Sequence, residues 1–148
     1  MKPLSSVIKK RAERALDAAE ILMKHGFYDT VAFLAGYATL LYTRAVLLDL
    51  LGEYPKTLGL RDLLLILRDV YQKCMRFEEA ERIRIYLTKE KESLLLLEDA
   101  YLHQETSIKY YSKEESSEIL VFARKFFRFI GELSTKMNNS QPATSHQY

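Results

Sequence analysis

Residues 31–51 read Val-Ala-Phe-Leu-Ala-Gly-Tyr-Ala-Thr-Leu-Leu-Tyr-Thr-Arg-Ala-Val-Leu-Leu-Asp-Leu-Leu, and Arg44 and Asp49 are the only charges in the stretch. A helix apolar on nearly every side is enclosed by other protein elements or immersed in lipid. The length approaches that of a membrane span. Thr39, Thr43, Arg44 and Asp49 lower its hydrophobicity, and a charge near the middle is costly in lipid. The stretch therefore reads as the central post of a water-soluble helical bundle, with no membrane contact.

Working outward, the helix is expected to begin near Asp29, a suitable N-cap, and to end at Gly52. Gly36 lies inside it and costs helix stability, so it marks a close helix approach. Before it, Ile8, Ala12, Ala15, Ala19 and Leu22 recur at spacings of four and three. They define a first helix from about Ser5 or Ser6 to His25, closed by Gly26. The short link between the two helices predicts an antiparallel hairpin.

Beyond Pro55, a third helix is expected from Leu60 to Cys74, with Leu63, Leu64, Leu67, Val70 and Tyr71 on its apolar side. A fourth is expected to run unbroken from Phe77 to Gln104, its first half laced with Glu78–Arg82 and Glu81–Arg84 pairs. Ser112-Lys113-Glu114-Glu115 is a capping box that opens a fifth helix. Ile119, Phe122, Ala123, Phe126, Ile130 and Leu133 form the buried stripe of that helix. From Ser134 the chain turns to Ser, Thr, Asn, Gln and Pro, the composition of a disordered tail. The expectation is one all-α, up-and-down bundle of about five helices over residues 1–133, followed by a tail over 134–148.

A chain of 148 residues is normally one domain and buries a core without staples. One cysteine, Cys74, excludes an internal disulfide framework and suits a reducing, cytoplasmic setting. It is expected as a small residue packed on the core at a helix end. The net charge of +2 is too small to imply nucleic-acid binding by itself. Lys9, Lys10, Arg11 and Arg14 interrupt what would be the apolar core of a signal peptide.

Metal chemistry has no foothold in these spacings. None of His25, His103 and His146 has an acid three positions before it, and there is no cysteine pair. No cofactor is implied either, because there is no Gly-rich phosphate loop and no nucleophile elbow. Two features remain as candidates for binding. Lys10, Arg11 and Arg14 on the first helix, with Arg124, Lys125 and Arg128 on the last, would make an anion footprint. The connection holding His103, Glu105, Lys109, Tyr110 and Tyr111 mixes aromatics with titratable groups, which suits base stacking with Lys109 on phosphate. The plainer alternatives are a solvated face and tyrosines that close the bundle end.

Several pieces, in order, resemble the HEPN family of prokaryotic and archaeal all-helical proteins. They are Arg14-Ala15-Leu16-Asp17-Ala18-Ala19-Glu20, then the turn from His25-Gly26-Phe27-Tyr28-Asp29 into Phe33, then Arg44 through Pro55. Leu60-Arg61-Asp62-Leu63-Leu64 follows, and last come Ala100-Tyr101 and Tyr111-Ser112-Lys113-Glu114-Glu115. The resemblance implies a bundle that commonly dimerises and associates with nucleotides or RNA. It also implies, for many members, a minimal nucleotidyltransferase partner in a toxin–antitoxin pair, and for others metal-independent endoribonuclease activity.

Ribonuclease members carry an arginine four to six residues ahead of a histidine, and no histidine here has one. The family's acid–lysine pair inside the second helix is replaced, with Tyr42 and Arg44 nearest. The reading is a non-catalytic, nucleotide- or RNA-associated binding module. Its expected form is a homodimer, with Phe122, Phe126, Phe127 and Phe129 motivating an apolar contact face. Two alternatives stand beside it. One is a divergent ribonuclease using His103. The other is a tetratricopeptide-like scaffold, which a break in the fourth helix near Lys91 would favour.

Overall fold

A computed structural model describes residues 3–56, 59–102 and 110–140, the last five of these by backbone alone. Within them are α1 (Leu4–Lys24), α2 (Tyr28–Leu51), α3 (Leu60–Lys73), α4 (Phe77–Lys89), α5 (Lys91–Leu102) and α6 (Lys113–Ser140). Helices are the only regular secondary structure among the described residues.

The apolar post is α2. It packs against α1, α3, α5 and α6. Val31, Ala32, Ala35, Ala38, Leu40, Ala45, Val46 and Leu47 are all buried, a set that goes round the helix rather than along one stripe. By length and composition alone α2 would pass for a membrane span, but 67% of its most apolar window is buried inside the bundle. Thr39 and Thr43 are fully buried too. Their hydroxyls donate back to the carbonyls of Ala35 and Thr39 at 3.1 and 2.8 Å, so no polar atom is stranded there.

Gly36 marks a close approach between α2 and α5. A Cβ placed on it would lie 2.6 Å from the Leu97 carbonyl oxygen and 3.1 Å from Tyr101 Cβ. Only a bare backbone lets α5 cross α2 at this distance. At the end of α2, Gly52 adopts φ 74° and its N–H donates to the Leu48 carbonyl at 2.9 Å.

The capping box forms as read. Ser112 N–H donates to Glu115 Oε1, and Glu115 N–H to Ser112 Oγ, both at 3.1 Å. The Ser116 hydroxyl donates to the Tyr28 carbonyl at 2.9 Å, and Tyr42 meets Phe127 about three to four turns further on. These contacts set α6 running alongside α2 in the same direction.

Several expectations need correction. Asp29 is not the N-cap of α2, whose helix already includes Tyr28. Its carboxylate instead accepts the Tyr111 N–H at 2.8 Å and ties the start of α2 to the approach to α6. The expected fourth helix is two. It turns at Glu90 (φ −105°, ψ 23°), which makes six helices among the described residues. No glycine or proline marks the place. Backbone bonds continue through it, Glu90 N–H to Tyr86 O at 2.8 Å and Leu94 N–H to Glu90 O at 3.0 Å. The bend lets α4 lie on α3 while α5 turns onto α2, so tertiary packing overrides local propensity. The break does not make the chain a tetratricopeptide array, since its helices are unequal and α2 and α6 span 24 and 28 residues.

Helix α6 also continues to Ser140, past the expected start of a tail at 134. Residues 141–148 lie outside the described residues. Cys74 caps α3 but is exposed rather than packed on the core. The four phenylalanines of α6 do not form an outward face. Phe126 is fully buried. Phe129 and Phe122 stack on Tyr86 of α4 at 4.1 and 6.2 Å, and Phe127 meets Tyr42 of α2 at 4.5 Å. They fan across α6 to reach neighbours on two sides, so they do not support an apolar dimer face.

Candidate functional site

The cationic residues expected to act together are separated by the fold. Arg124 faces α1, where it donates to Glu20 and Asp17, both at 2.7 Å. The two carboxylates hold its guanidinium firmly protonated, with its pKa raised above the usual arginine value. It is a strut between α1 and α6, already neutralised. Lys125 points to the other side of α6, beside Glu90 and Glu118. Arg128 is exposed and makes no ion pair among the described residues. Lys10, Arg11 and Arg14 are exposed on α1, away from its buried Ile8, Ala12, Leu16 and Ala19.

Tyr110 is 84% exposed, whereas the Tyr111 ring rests partly buried on the core. Arg128 lies fifteen residues beyond the first residue of α6, about 22 Å along the helix from that end. The tyrosines and the arginines therefore do not share one site. His103 and Lys109 lie outside the described residues.

A different set of side chains converges on the seam between α2 and α5. Phe33 and Tyr37, one turn apart on α2, meet Tyr101 near the end of α5. The Phe33 and Tyr101 rings stack at 5.5 Å and 25°, Phe33 and Tyr37 at 6.3 Å and 12°, and Tyr37 and Tyr101 at 5.8 Å. The gap left by Gly36 is what brings Tyr101 so close to α2.

Two turns beyond Tyr37, Arg44 donates from Nη2 to the Lys56 carbonyl at 2.6 Å. This anchors the loop after α2 and folds it back along the helix, carrying Tyr54 to Arg44. Burial raises the Tyr54 pKa, the adjacent Arg44 guanidinium lowers it, and the nearby Tyr37 and Tyr101 phenols raise it again. Three phenols and one guanidinium thus face the same space. All four side chains are half-buried. Phenol O–H groups donate to anionic oxygens, guanidinium binds phosphate in a planar fork, and half-exposed rings offer faces for stacking.

The sequence profile of the HEPN domain family matches residues 5–133. The chain belongs to the HEPN family. The match takes in all of α2 to α5 and most of α1 and α6, so the seam lies wholly within the HEPN domain. No curated protein and no solved structure matches the chain. HEPN membership establishes a nucleotide- or RNA-related module in general.

Sequence reasoning noticed Arg44 and Tyr42 as the residues standing where relatives have a polar pair. Tyr42 turns towards α6 and stacks on Phe127, so it takes no part in the site. Tyr37 and Tyr101 were missed. The seven-residue spacing of Tyr37 and Arg44 on one helix was the available signal.

Proposed function

We propose that this HEPN domain is a non-catalytic module that binds a nucleotide or single-stranded RNA on the α2–α5 seam. The convergence of Tyr37, Tyr54 and Tyr101 on Arg44 carries the reading. Arg44 and the phenols take phosphate oxygens, and the Phe33–Tyr37–Tyr101 stack supplies the face for a base. The non-catalytic part rests on sequence, since no arginine stands four to six residues before a histidine. A phosphate held by a guanidinium and phenols, with no imidazole beside them among the described residues, is bound but not cleaved.

HEPN domains commonly dimerise and pair with nucleotidyltransferases. We extend both properties to this chain as a cytoplasmic homodimer in a toxin–antitoxin-type pair. Lys109, Tyr110 and Tyr111, in the stretch of sequence between α5 and α6, would extend the RNA contact, and the exposed Arg128 would add a weaker phosphate contact along α6.

Fluorescence anisotropy with a labelled single-stranded RNA tests the reading. Arg44→Gln and Tyr37→Ala should each weaken binding by about tenfold, a loss of about 1.4 kcal/mol, while Arg124→Gln leaves it unchanged. RNA should run intact on a gel after incubation with excess protein across pH. Equal binding by all variants would overturn the site, and cleavage abolished by His103→Ala would favour the ribonuclease reading. Light scattering that gives a monomer mass at every concentration would reject the dimer.

A further inference from the structure

A cleft that shares no lining residue with the seam lies where α4 bends into α5 and faces α6. It has a volume of about 510 Å³ and is lined by Tyr86, Glu90, Ser93, Glu118, Phe122 and Lys125, with Ser117 and Val121 completing its wall on α6. That size falls in the range of small-ligand sites. Glu90, the residue at the bend, stands in its wall.

The lining has a definite chemistry. The floor is aromatic, with Tyr86 held between Phe122 and Phe129 in near-parallel stacks of 20° and 5°. Val121 at the wall is 51% exposed, an apolar side chain left facing the hollow and solvent. Two carboxylates, Glu90 and Glu118, enter from opposite sides, and neither makes an ion pair among the described residues. Lys125 sits two turns beyond Glu118 on the same face of α6, also without an ion pair among the described residues. Ser93 and Ser117 add hydroxyls. Beneath the floor the Tyr86 hydroxyl is buried without a hydrogen-bond partner. Burial, and then the Glu90 carboxylate, raise its pKa, so it remains a neutral phenol.

We propose that this cleft binds a small cationic amphiphile, an amine or guanidinium on a flat or aliphatic body. The cation sits between Glu90 and Glu118 and gains further from the Phe122 ring. The body covers Val121 and Phe122, and Lys125 with the two serines orients a polar tail. Anionic ligands, nucleotides included, are repelled by the two carboxylates. The cleft is therefore separate in place and in charge from the seam around Arg44, and the two readings stand or fall independently.

The test uses the full chain and two probes, tyramine as an aromatic amine and agmatine as an aliphatic guanidinium, with 4-hydroxyphenylacetate as an anion matched to the first. In amide NMR titrations, both cations should give saturable shifts at Glu90–Ser93 and Ser117–Lys125, with dissociation constants of about 1 mM or tighter. The anion should give none. Glu90→Gln with Glu118→Gln should weaken binding at least about tenfold. Val121→Trp should abolish it while thermal unfolding and RNA binding at the seam stay as in the parent. Absence of saturation by either cation would overturn the proposal. So would equal shifts by the anion, or cation binding unchanged in the double variant.

Discussion

Gly36→Ala separates intrinsic propensity from packing, because the two effects have opposite signs. An alanine inside a helix is favoured over glycine by about 1 kcal/mol. At this position the new methyl would lie 2.6 Å from the Leu97 carbonyl oxygen, 3.1 Å from Tyr101 Cβ and 3.3 Å from Tyr101 N. Ordinary carbon contacts begin near 3.5 Å, so α5 must retreat by up to about 1 Å. The obstacle is helical backbone and a Cβ, neither of which swings aside like a side-chain tip. Overpacking of this kind costs about 1–3 kcal/mol, which offsets the propensity gain and leaves a net loss of about 1 kcal/mol.

Gly131→Ala is the matched control. Its Cβ would meet only the Tyr42 hydroxyl, at 3.3 Å, the far end of a side chain that can shift. There propensity should prevail, for a gain of up to about 1 kcal/mol. Urea unfolding of both variants reads the difference directly. Displacement of Tyr101 should also weaken RNA binding in Gly36→Ala and not in Gly131→Ala. If both variants are stabilised alike, the close crossing of α2 and α5 is not a feature of the protein in solution, and the seam built on it fails.

Other outcomes follow from single residues. Met75 is the one non-glycine residue with positive φ among those described, at 61°. Left-handed backbone costs an L-residue about 1–2 kcal/mol, and the side chain is 75% exposed, so Met75→Gly should raise the denaturation midpoint. Arg124→Gln removes two partly exposed ion pairs and should cost no more than about 1 kcal/mol, with the loss shrinking as salt is added. Burial pushes the Tyr71 phenol up to about 12. A group whose folded pKa exceeds its unfolded value of about 10 contributes full stability below that value and loses it as pH rises towards the folded one. Unfolding free energy should therefore fall between pH 10 and 12, and Tyr71→Phe should flatten that decline.

The parts of the fold visible in sequence were those written in local pattern. The all-round apolarity of α2 announced burial on every side. Gly36 announced a close crossing, and Ser112 with Glu115 announced a helix start, because caps depend on neighbours a few residues away. The bend at Glu90 was not legible. Thr88-Lys89-Glu90-Lys91-Glu92 is ordinary helix-forming sequence, and only the demands of α3 and α2 on either side turn it. Arg124 read as a free cation because its acids lie 104 and 107 residues away. The phenylalanines of α6 read as a surplus because Tyr86 and Tyr42, which receive them, belong to other helices. Half of the seam was within reach, since Tyr37 and Arg44 share a face of α2. Tyr54 and Tyr101 join them only through the loop held by Arg44 and the gap at Gly36.

The claim that Arg44 and its three phenols form the binding site is tested most directly by labelling every tyrosine ring with carbon-13 at Cζ. Each signal is assigned by single Tyr→Phe replacements, and a short single-stranded RNA is then titrated in. The account predicts saturable movement of the Tyr37, Tyr54 and Tyr101 signals, with the buried Tyr71 and Tyr86 signals still. Movement confined to tyrosines away from the α2–α5 seam, or none at saturating RNA, would contradict it.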